Sequence, residues 1–94
     1  MHTANPYPCV LVEWEDSAQP SSAWGWVDEL SDPVPVLCQT VGFLVKETER
    51  CLVLALSIGD ATSERPQANG VMQIPRSAVV KLTYLAPCEQ VHAA

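Results

Sequence analysis

Polar and apolar residues alternate over residues 9–15, with Val10, Val12 and Trp14 on one side and Cys9, Leu11 and Glu13 on the other. A period of two predicts a strand with one fully apolar face. Residues 36–47 (VLCQTVGFLVKE) predict a second, longer strand. Gly42 in its middle predicts a bend or bulge of the kind that lets a small sheet close on itself. Residues 47–50 (ETER) predict a hairpin turn. Residues 51–58 (CLVLALSI) follow as the strongest strand pattern, with Leu52, Leu54, Leu56 and Ile58 on one face and Cys51, Val53, Ala55 and Ser57 on the other. Both faces are largely apolar, which predicts a central strand or one beneath an interface.

The remaining segments are read from their breakers. Residues 16–22 predict a loop, and Ser21 or Ser22 is placed to N-cap one to two helical turns within 23–30. Pro33 and Pro35 keep the next stretch irregular or extended. Residues 59–70 (GDATSERPQANG) predict a long polar loop, residues 71–74 a short strand, Pro75–Ser77 a tight turn, and residues 78–85 the last strand. The expectation is a mostly β, five-stranded small barrel with one short helical turn between the first two strands. It is one domain over 1–94, with its core at about 9–86, an extended arm at 1–8 and a tail at 87–94.

Two segments have relatives in pattern. Gly70–Val80 (GVMQIPRSAVV) resembles the end of a Src-homology-type barrel, where an apolar-Pro step leads through one 3-10 turn into the last strand. Val41-Gly42-Phe43-Leu44 followed by Leu52-Val53-Leu54 resembles the first motif of Sm-like proteins. Over roughly residues 10–85 the chain also resembles a group of short proteins of tailed phages and prophages. The cues are Val12-Glu13-Trp14-x-Asp16-Ser17, the Trp24 region, Val41-Gly42-Phe43-Leu44 and Ile74-Pro75-x-x-Ala78-Val79-Val80. This resemblance implies a phage origin and a small-barrel fold, and with them a protein acting in the host cytoplasm. It implies no catalytic activity. Between Gly42 and Leu54 the chain offers Glu47, Thr48, Glu49 and Arg50, not the aspartate and asparagine with which Sm-like proteins hold a base. Only the scaffold transfers, and a scaffold does not imply a function.

Charge narrows the partners. Eleven carboxylates face five cations (Lys46, Arg50, Arg65, Arg76 and Lys81), for a net charge of −6. Nucleic-acid binding draws on clustered Lys and Arg, so this balance argues against an RNA or DNA ligand, an Sm-like RNA-binding role included. A small anion such as a nucleotide needs only two or three cations, and Arg65 and Arg76 are the candidates for it. Charged residues are 17% of the chain against 48% apolar. That is little charge to cover a surface, and it points to burial against another copy or a host protein.

Three of the six aromatic residues are tryptophans. Trp14 belongs to the apolar strand face and is read as core. Trp24 and Trp26 flank Gly25, so one is expected to pack on the barrel and the other to stand exposed as an anchor for a partner or a stacking surface. Cys9 and Cys51 are read as core residues, Cys38 and Cys88 as exposed thiols. None forms a C-x-x-C pair, and neither His2 nor His92 sits beside a pair, so no metal or cofactor is expected. The carboxylates Glu13, Glu15, Asp16, Asp28, Glu29 and Asp32 read as solvated ends of strands and loops. No membrane segment or secretory signal is expected, since the longest apolar run is Leu52–Leu56. The sequence thus predicts a non-enzymatic protein that assembles with itself or binds a host protein, with Trp24, Trp26, Arg65 and Arg76 as contact residues. The alternative is an oligomer that sequesters an anionic small ligand at its subunit junctions.

Overall fold

The computed structural model describes residues 6–17 and 20–88. Five antiparallel strands form one sheet in the order β4-β3-β2-β1-β5: β1 Cys9–Asp16, β2 Val36–Glu47, β3 Cys51–Gly59, β4 Gln67–Pro75 and β5 Val79–Tyr84. Two single 3-10 turns complete the described elements, η1 at Val27–Glu29 and η2 at Arg76–Ala78. The second is the turn that the Ile74-Pro75 step predicts. The first is shorter than the helix expected within 23–30, and no side chain caps it. Ser21 accepts only from the Ala23 amide. Gly25 and the following Asp-Pro pair leave no room for a longer helix.

The bend at Gly42 is where β2 changes partner. Its first part runs against β1, from Val36 opposite Asp16 to Phe43 opposite Cys9. Its last part runs against β3, from Phe43 opposite Ala55 to Glu47 opposite Leu52. Phe43 therefore belongs to both ladders, and Gly42 precedes it. A β-carbon at position 42 would lie 3.0 Å from the carbonyl oxygen of Ala55. The missing side chain is what lets the two backbones cross so closely. The sheet thus divides into two parts that share β2: β5-β1-β2 and β2-β3-β4.

The two edge strands are neighbours in sequence. In a flat sheet β4 and β5 would stand four strand spacings apart, about 19 Å. The three residues of η2 rise only about 6 Å, so the sheet must roll up. Its packing agrees. One buried cluster unites Val10 and Val12 of β1, Leu44 of β2, Leu52 and Leu54 of β3 and Ile74 of β4. Met72 of β4 and Val79 and Leu82 of β5 pack against that same cluster. Among the described residues no ladder joins β4 to β5, and the sheet is open.

Several expectations are corrected by this arrangement. β3 is an interior strand, between β4 and β2, but the middle of the sheet is β2. β4 begins at Gln67, so the polar loop covers only residues 60–66. The residues Gln67–Asn69 pair with Ser57–Gly59, and it is this ladder that makes them a strand. Leu56, expected on a buried face, is 70% exposed. Cys9 and Cys51 are half-buried on the outer side of their strands rather than in the core, Cys38 is half-buried and Cys88 exposed. Pro8 is anchored to the sheet, its carbonyl accepting from the Leu44 amide at 2.8 Å. The rest of the expected N-terminal arm before Pro6, and the tail beyond Cys88, lie outside the described residues. No helix among the described residues is long and apolar enough to cross a membrane.

Candidate functional site: an apolar arm and a forked sheet

Between β1 and β2 the chain leaves the sheet. Every described residue from 20 to 35 is exposed. Five of them are large and apolar, Trp24, Trp26, Val27, Leu30 and Val34, and the first two residues of β2, Val36 and Leu37, are exposed as well. The molecule is elongated, 64 × 29 × 24 Å with a radius of gyration of 18.3 Å. A compact chain of this length has a radius of about 12 Å.

Local bonding gives the arm its shape. The Glu29 amide donates to the Trp26 carbonyl at 3.0 Å and the Leu30 amide to the Val27 carbonyl at 3.3 Å, closing η1. Trp24, Gly25 and Trp26 line an open hollow of about 320 Å³. Trp24 is fully exposed and Trp26 is 76% exposed. The expectation that one of the pair packs on the sheet is therefore wrong. Two tryptophans two residues apart point in different directions, but the arm stands clear of the core, and neither direction leads to it.

Trp14 behaves as expected. It packs against the core cluster, and its indole N–H donates to Thr40 Oγ1 at 2.9 Å across the β1–β2 ladder. A part-buried Trp satisfied in this way is structural.

A second uncovered surface follows from the partner change in β2. Beyond the Phe43–Ala55 pair, β2 continues against β1 while β3 continues against β4. The strands part there and leave a fork. Thr40, Gly42, Leu54, Leu56, Gly70 and Met72 are among the residues lining a hollow of about 220 Å³ in it. No charged side chain lines this hollow. Strand periodicity alone cannot reveal it, because it depends on which remote strands pair.

The two candidate arginines are not brought together. Arg65 lies in the loop before β4 and Arg76 in the turn after it. The nine residues of β4 between them span about 27 Å at the usual strand rise. Arg76 is also engaged: Nε donates to the Thr48 carbonyl at 2.6 Å, and Nη2 pairs with Glu47 Oε1 at 3.1 Å. Its own amide donates to the Arg50 carbonyl at 2.8 Å. The same hairpin is closed by Thr48, whose hydroxyl accepts from the Cys51 amide at 3.0 Å. Arg76 thus ties η2 to the β2–β3 turn and anchors the end of β4. Replacing Arg76 with methionine is expected to cost about 1 kcal/mol, since the pair is nearly half exposed and screened. Lysine, which cannot reproduce the two-pronged contact, should not restore it. Urea unfolding of the three proteins checks both statements.

Among the described residues no group of three His, Cys, Asp or Glu side chains is placed to hold a metal ion. No protein-family model matches the sequence, and neither a curated protein nor a solved structure matches it.

Proposed function

We propose that this chain is a non-enzymatic interaction protein: a small barrel of the Src-homology or Sm-like kind that works by offering its β1–β2 arm to other protein chains. One observation carries the reading. Residues 20–35 hold two tryptophans and three large aliphatic side chains, Val27, Leu30 and Val34, in an exposed segment outside the strands of the sheet. Tryptophan is the residue most enriched where binding energy concentrates. A monomer that exposes so much contiguous apolar surface exposes it to a partner. The barrel half of the reading is supported by the strand order, by the corner at Gly42 and by the 3-10 turn between β4 and β5. With the resemblance to short phage proteins, the proposal extends to a phage-encoded protein acting in the host cytoplasm.

The test is cross-linking inside bacterial cells with a short amine-reactive or formaldehyde bridge, comparing the natural chain with the Trp24→Ala, Trp26→Ala double variant. Covalent protein adducts should fall at least tenfold in the variant. Its melting temperature should stay unchanged, because both side chains are outside the core. Adducts of equal yield in the two proteins, or none in either, would contradict the proposal.

A further inference from the structure

We infer that the arm's partner is a second copy of this chain, and that the arm of each copy seats Trp24 in the fork of the other. The inference rests on the reading of the arm as a contact surface and narrows what it contacts.

The two surfaces have matching chemistry. The arm presents Trp24, Gly25 and Trp26 with no charge among them, and Val27, Leu30 and Val34 beside them, each at least 67% exposed. The fork presents Leu56 and Met72 around two glycines, above the buried Leu54, with Leu56 70% exposed. The fork volume of about 220 Å³ is below the roughly 300–1,000 Å³ of a small-molecule pocket. It is open space suited to one large side chain. The carboxylates of the arm, Asp28, Glu29 and Asp32, follow the tryptophans in sequence and are exposed, and in the dimer they would stay at a wet rim, as charges at interfaces do.

Area favours a second copy over an incidental contact. One fully exposed indole, one about three-quarters exposed and three exposed aliphatic side chains hold on the order of 650 Å² of apolar surface. In a reciprocal exchange each copy buries its own arm and the surface under the partner's arm. If only half of that apolar area is covered, the total is about 1,300 Å², within the range of stable protein interfaces. Reciprocity also gives closure: both arms and both forks are used, so association stops at a twofold dimer. Each copy carries −6, so the copies repel one another and added salt should tighten rather than loosen the dimer.

The experiment places p-benzoylphenylalanine at position 24 in the full chain, an aromatic replacement that keeps the arm apolar. The purified protein is irradiated as a mixture of 15N-labelled and unlabelled copies, with light scattering on the same sample. The expected result is a dimer by scattering and a mixed-isotope adduct of twice the chain mass. Mass spectrometry should map its bond to residues 54–56 or 70–72. Leu56→Asp, at an exposed position, should lower adduct yield at least tenfold, while Val80→Asp, at another exposed position, should not. If Leu56→Asp unfolds, the position of the cross-link in the unsubstituted protein still decides. A monomer without self-adduct, or an adduct mapped away from the fork, overturns the inference. The same residue irradiated inside cells separates the two levels of the proposal. An adduct solely to a different protein sinks the second copy and leaves the interaction role standing, whereas no adduct of any kind sinks both.

Discussion

Replacing Ile74 with alanine should remove about 3–4 kcal/mol of stability and lower the melting temperature by roughly 15–25 °C. Ile74 is fully buried and is the sole fully buried side chain that β4 gives to the core. The core it joins is small: six aliphatic side chains from four strands. A domain of this length has a total stability of about 5–14 kcal/mol, so the loss of one core side chain consumes a large share of it. Packing leaves little room for relaxation, because Ile74 sits where the rolled sheet brings β4 and β5 onto the same cluster. A cavity there should loosen β4 first and widen the fork between β3 and β2. Val80→Ala is the control. Val80 is 59% exposed, and its truncation should change stability by no more than about 0.5 kcal/mol. Thermal and urea unfolding of both variants decide the matter. An Ile74 variant as stable as the Val80 variant would mean that the core does not hold the two parts of the sheet together.

Much of this architecture was legible in the residues, for reasons that can be named. Strands β1 and β3 and the first turn of the β2–β3 hairpin follow from alternation and from the polar Glu47–Arg50 interval. Gly42 was readable as a bend because a glycine inside an apolar strand has few other uses. What it bends toward was not readable, since that requires knowing that Phe43 faces both Cys9 and Ala55. The start of β4 was missed because Gln67, Ala68, Asn69 and Gly70 offer neither alternation nor β-branched residues, and Asn-Gly reads as a turn. Backbone pairing to Ser57, Ile58 and Gly59 overrides that local preference.

The candidate site was half legible. Trp24 and Trp26 stood out as aromatic residues among turn formers, and they are the two most conspicuous side chains on the arm. Expecting one of them on the barrel followed from the general tendency of large apolar side chains to bury, and that tendency presumes a covering surface within the chain. Here neither the arm nor the core, among the described residues, supplies one. The structural tie made by Arg76 is not legible in the sequence for a related reason. Its partners, Glu47 and the Thr48 carbonyl, are 29 and 28 residues away in sequence, and only the rolled sheet brings them within reach.

Gly70→Ala should destabilise the chain by about 2–4 kcal/mol, far more than its single added methyl suggests. Two independent costs combine. Gly70 has φ +67°, a left-handed conformation that costs a side-chain-bearing residue about 1–2 kcal/mol. The new β-carbon would also lie 2.7 Å from Cβ of Leu56, a contact that must move backbone to be relieved and so costs about 1–3 kcal/mol. The two strands that would shift are β3 and β4, which together form one side of the fork. Substitution by asparagine, which tolerates the left-handed region better, separates the terms: it should retain the clash while relieving part of the backbone cost. Leu56→Ala cannot relieve the contact, because alanine keeps the Cβ that is struck. Leu56→Gly in the Gly70→Ala background removes that atom and should recover part of the loss despite the flexibility it adds. A double-mutant cycle by urea unfolding measures the coupling. If Gly70→Ala costs less than about 1 kcal/mol, the left-handed turn at position 70 and its close approach to Leu56 are both wrong. The fork would then lack the wall against which a second copy's tryptophan is inferred to rest.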